Sequence, residues 1–188
     1  MTIDRPSTAA LFEEAIDRIE RCLSTWPIDS WGANLWEVKR TDPWTWPAAG
    51  TEPLPERTDE SIQTFSTVWC VAYHALWFLD FYATPFDQPF ESPEYVRGGP
   101  EELPFPAADG AAPIPTEVVD RDVLLRYLAH GRTKVATTLA TATDAQLAAL
   151  APDYHPWAGT PFEQLLEVNL RHLVEHGTSM ESAQPAPR

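Results

Sequence analysis

The segment Val68-Trp69-Cys70-Val71-Ala72-Tyr73-His74-Ala75-Leu76-Trp77-Phe78-Leu79 would be apolar on nearly every side of a helix. Such a helix cannot lie on a surface; it sits in the middle of a structure, covered by others. It reads as the second half of a helix running from Thr58 or Asp59 to Ala83. The rest of the chain must therefore supply its cover.

Three further segments have the right pattern. In the first, Ser7 or Thr8 can cap a helix in which Phe12, Ile16, Ile19 and Leu23 recur at helical spacing. Glu13, Glu14, Asp17, Arg18, Glu20 and Arg21 fall opposite them, and the helix should end before Pro27. A third helix, after the apolar one, begins between Thr116 and Asp122 and carries the stripe Leu124, Leu128, Gly131, Val135, Leu139 and Ala142. Thr143-Asp144-Ala145-Gln146 then reads as a capping box that opens a short helix to about Leu150. A second box, Thr160-Pro161-Phe162-Glu163, opens the fourth long helix with proline at its first position.

The connections are set by proline. Positions 85, 89, 93, 100, 104, 106, 113 and 115 are all proline, so residues 84 to 116 cannot sustain a helix interior or a central strand and must form a long crossover. From Trp31 to about Pro55 the chain is rich in Trp and Pro, which suits an ordered loop packed by its own rings. No alternating strand pattern and no internal repeat is present. The expectation is an all-α chain: one domain over residues 1–188, a four-helix bundle with long crossover loops.

A formal charge of -15 argues against binding nucleic acid, which draws its affinity from clustered Lys and Arg, and against an anionic membrane surface. No apolar run is long enough to span a membrane and the first residues do not form a secretory signal, so a cytoplasmic location is expected. Cys22 and Cys70 belong to no close pair and read as two buried thiols.

The chemistry lies in the histidines. On the fourth helix His172 and His176 are one turn apart along one edge of the inward stripe of Phe162, Leu165, Leu166, Asn169, Leu173 and Met180. That spacing lets two imidazoles reach one ion, although it also arises by chance. His74 sits in the most apolar stretch of the chain, where an unpartnered ring costs a few kcal/mol. Bonding to a backbone carbonyl or hydroxyl would satisfy it alone, whereas one cation would satisfy all three inward histidines. Asn169 can hold an imidazole, a bound ligand or simply a buried hydrogen bond, and Tyr73 reads as packing. His130 and His155 are expected at the surface.

Asn169-Leu170-Arg171-His172-Leu173-Val174-Glu175-His176 resembles the C-terminal helix of the DinB-like, or YfiT-like, metal-binding four-helix bundles. Leu124-Leu125-Arg126-Tyr127-Leu128, then Leu139 and Thr143-Asp144-Ala145-Gln146-Leu147, is similar to that family's third helix and the short helix after it. His74 matches the position of its first ligand. The resemblance implies that His74, His172 and His176 hold a divalent metal, zinc or nickel, with positions open to water, and it also implies a possible homodimer. Gly177-Thr178-Ser179 departs from the small residues and glutamine that relatives often carry there.

A dication held by three neutral imidazoles keeps its full charge and acidifies a water or a thiol. Two classes of function follow. One is a metal-dependent hydrolase or a thiol-dependent transferase acting on a small molecule; transfer of a low-molecular-weight thiol is what some members of the resembled family do. Hydrolysis needs a general base, and Glu175 points outward, so none is evident. The other class is a non-catalytic, metal-stabilised stress or ligand-binding bundle.

Overall fold

The computed structural model describes residues 3–103 and 110–185. Four long helices form the bundle: α1 (Arg5–Thr25), α2 (Val68–Tyr82), α3 (Arg121–Thr141) and α5 (Phe162–Ala183), with a short α4 (Asp144–Ala148) before the last. Both α1 and α2 pack against α3 and α5, so that α1 and α2 lie diagonally opposed. No strand is formed among the described residues. None of their helices is long and apolar enough to cross a membrane.

Periodicity translates directly into burial. Thr8, Phe12, Ala15, Ile16, Ile19, Cys22 and Leu23 form the buried face of α1, and Leu124, Leu128, Gly131, Val135 and Leu139 lie within that of α3. Each fully buried Leu, Ile or Phe contributes roughly 1.5–3 kcal/mol relative to exposure. α2 is buried around most of its circumference; only His74, Trp77, Phe78 and Phe81 remain half-buried, at the spacing of one helical face. Both cysteines are buried thiols; burial pushes Cys22 up, and burial together with the Glu101 charge pushes Cys70 up to about 12.

Several boundaries differ from the expected ones. α1 starts at Arg5 with Pro6 in its first turn, ahead of Ser7 and Thr8. The Ser7 hydroxyl donates to Asp4 Oδ2 at 2.6 Å and Thr8 is buried. The helix expected from Thr58 to Ala83 is broken: Ser61–Ser66 is a 3-10 turn, Thr67 is extended, and α2 begins at Val68. The cause is a short pairing with the loop before it, in which Leu35 N–H donates to Ser66 O (2.8 Å) and Val68 N–H to Ala33 O (3.1 Å). Those bonds use backbone groups that a continuous helix would need.

The capping box at Thr143 forms in full, with the Gln146 N–H donating to Thr143 Oγ1 and the Thr143 N–H to Gln146 Oε1. The box at Thr160 does not form. Pro161 takes the cap position, Thr160 O accepts from Ala151 N–H, and the Glu163 carboxylate accepts from the backbone of Ile3.

The Trp-rich loop is held less by its rings than expected, since Trp36 and Trp44 are exposed. Buried Arg57 ties it instead, donating to Thr45 O (3.0 Å) and Ala112 O (2.8 Å). The crossover from α2 to α3 carries two 3-10 turns, Glu94–Val96 and Pro100–Glu102, while Pro104 and Pro106 lie outside the described residues.

Candidate metal centre

α5 presents His172 and His176 from successive turns of one face, and the neighbouring α2 presents His74 opposite them. The three side chains converge through their Nε2 atoms. His172 Nε2 lies 2.9 Å from His74 Nε2 and 3.0 Å from His176 Nε2. One ligand atom from each of the three rings lies within 4.8 Å of the others.

Protonation makes this convergence informative. Glu101 Oε1 sits 2.7 Å from His74 Nδ1, and a carboxylate accepts, so Nδ1 is the donor of that bond and Nε2 is the ring nitrogen left to face the other histidines. Burial first, then the neighbouring His176 and His74, pushes His172 down to about 2. Burial and then His74 push His176 down to about 3. Both rings are therefore neutral, and nitrogen lone pairs this close repel unless a proton or a cation lies between them.

Metal–nitrogen bonds of about 2.0–2.1 Å place tetrahedral ligand atoms about 3.3 Å apart and octahedral neighbours about 2.9 Å apart. The 2.9 and 3.0 Å separations of His172 Nε2 from its two neighbours lie close to these values, and all three ligand atoms lie within 4.8 Å of one another. His172 Nδ1 is a buried polar atom without a protein partner among the described residues, and so is Asn169 Oδ1 one turn earlier on α5. The Asn169 amide donates to Leu79 O at 3.2 Å, a buried link between helices. These three histidines can bind a metal ion.

The surroundings are aromatic. Phe78 meets His74 edge-on with ring centroids 4.8 Å apart and His172 at 5.2 Å, and Trp77 packs on Phe78 at 5.0 Å. Glu175 is exposed, as expected. The carboxylate that does touch the triad, Glu101, comes from the crossover, and no periodicity in the sequence signalled it. It meets His74 at Nδ1, on the side of the ring away from the convergent nitrogens. The Gly177-Thr178 step packs on α1, where Gly177 lies against Ile19 and Arg18, and the Arg18 guanidinium donates to Thr178 Oγ1 at 2.9 Å.

Of the remaining histidines, His155 departs from its expected surface position and His130 does not. His155 is buried, stacked on Phe81 at 5.1 Å, and accepts the Trp157 N–H at Nδ1. His130 keeps a partly exposed ring on the flank of α3, but its Nε2 is 3.3 Å from the buried carboxylate of Asp80. Tyr73 is wholly buried and donates its hydroxyl to Val96 O at 2.8 Å.

No protein-family model matches the sequence, and no curated protein matches it. The crystal structure of a conserved protein from Enterococcus faecalis superposes on 97% of this chain and 96% of its own, with a TM-score of 0.57 at 14% sequence identity. That likeness establishes a shared all-helical fold.

Proposed function

We infer that the chain is a DinB-like metal protein in which His74, His172 and His176 hold one zinc or nickel ion, and that it acts on a small molecule. The convergence of three histidine side chains, through Nε2 contacts of His172 with His74 and His176, carries this reading. A divalent ion held by His74, His172 and His176 would supply a Lewis acid that lowers the pKa of a bound water or thiol. Trp77 and Phe78 add an apolar flank beside the histidines for an uncharged part of a substrate. Glu101 is spent on His74 Nδ1 and is turned away from the place where a hydrolytic base would act. Thiol-dependent transfer therefore fits better than hydrolysis. The same placement of Glu101 favours, as a second reading, a non-catalytic bundle stabilised by its ion.

Metal analysis of the purified protein tests the premise. Stoichiometric metal in the wild type and its loss in both His74→Ala and His172→Ala is expected; retention by either variant removes that residue from the site. Assays of low-molecular-weight thiols with electrophilic acceptors, and of esters and amides, separate the two readings. Metal-dependent turnover supports the enzyme. Its absence, together with a large fall in melting temperature on chelation, supports the structural ion.

A further inference from the structure

The crossover segment 92–102 lies on α2 through a set of specific contacts. The Tyr73 hydroxyl donates to Val96 O at 2.8 Å from beneath. Gly99 rests on the Tyr73 ring so closely that a Cβ there would fall inside the ring's van der Waals envelope. Glu102 gathers the segment into a closed turn: its carboxylate accepts from Ser92 Oγ, from Gly98 N–H at 2.8 Å and from Trp77 Nε1 at 3.4 Å. Between Gly99 and Glu102 the chain turns through Pro100–Glu102, and Glu101 emerges facing His74.

We propose that segment 92–102 is a strap that sets the metal affinity of the triad by holding Glu101 as the positioning residue of His74. The inference rests on the metal-centre reading above and assigns this chain's own outer partner to one of its ligands. A ring that donates Nδ1–H to a carboxylate is fixed in tautomer and orientation and becomes a more basic Nε2 donor, and loss of such a partner typically costs about 10–100-fold in metal affinity. His74 is the ligand in need of this help. It stands alone on α2, whereas His172 and His176 are aligned by one helix. The glycine at 99 is required by the approach, because any side chain would lift the strap from Tyr73 and carry Glu101 with it.

The test is Zn(II) affinity by chelator competition for wild type, Glu101→Ala, Glu101→Gln, Gly99→Ala and the Gly99→Ala/Glu101→Ala double variant. Glu101→Ala weakens binding about 10–100-fold. Glu101→Gln, which still offers an acceptor oxygen, recovers part of the loss. Gly99→Ala loses affinity too, and the double variant loses no more than the larger single loss, because both act through one contact. The Glu101 side chain is a quarter exposed, so its removal leaves the metal-free melting temperature near that of wild type. Wild-type affinity in Glu101→Ala, no rescue by Gln, or additive losses in the double variant would each overturn the strap while leaving the triad intact. A wild type that takes up neither Zn(II) nor Ni(II) overturns both readings.

Discussion

Tyr127 donates its hydroxyl to Asp80 Oδ2 at 3.1 Å, with both side chains wholly buried between α3 and α2. Burial above all, and then the Asp80 charge, pushes the Tyr127 phenol far up, so it stays a donor. The other carboxylate oxygen of Asp80 takes the Lys134 ammonium and His130 Nε2. Three donors from three successive turns of α3 thus satisfy one carboxylate of α2, which fixes the register of the two helices.

Replacing Lys134 by Met keeps an unbranched stem beside Phe90 but removes the ammonium bonded to Asp80. Breaking a buried pair from one side costs about 3 kcal/mol, because the other charge remains buried. Urea unfolding should show that loss for Lys134→Met. Adding Asp80→Asn should restore part of it, since the stranded charge is then gone.

Two helical glycines should respond oppositely to alanine. A Cβ on Gly131 would lie 2.7 Å from Leu79 Cδ2 and 3.1 Å from its Cγ, against a leucine with no exposure. Overpacking costs about 1–3 kcal/mol and outweighs the helix-propensity gain of about 1 kcal/mol. On Gly177 the nearest atoms are Ile19 Cγ1 at 3.2 Å and Arg18 Cδ at 3.3 Å, and the long Arg18 side chain can give way. Thermal melts should show Gly131→Ala below wild type and Gly177→Ala level with it or above.

The bundle was legible because its helices are local objects. α1, α3 and α5 repeat apolar residues every three or four positions, and Thr143 and Gln146 cap each other within four residues. The errors came where a distant segment intervened. Ala33 and Leu35 pull Thr67 out of the helix, Ala151 engages Thr160, and Ile3 engages Glu163. The triad was half legible: the i, i+4 pair is written into one helix, and His74 stood out as a polar ring in an apolar run. Glu101 was not, because only the folding of a proline-rich crossover onto Tyr73 brings it to His74. His155 lies likewise in a loop, and burial against Phe81 leaves no trace in periodicity.

The neutral rings give the metal-free protein an acid sensitivity whose sign is fixed by linkage. In the unfolded chain His172 and His176 titrate near 6.5, but in the fold they are held down to about 2 and about 3. Below about pH 6.5 the unfolded state therefore binds more protons than the folded one, and stability rises with pH. The contribution is complete above the unfolded value and is lost as pH falls toward the folded values, by at most about 1.4 kcal/mol per pH unit for each ring. Buried His155 is also held down by burial and adds to the slope in the same direction. Urea melts in chelator at pH 6.5, 6.0 and 5.5 isolate the effect, because ordinary carboxylates titrate mostly below that window. His172→Leu should remove close to one ring's share of the slope while leaving the His155 share in place. An unchanged slope in that variant would mean that His172 is already protonated in the metal-free fold.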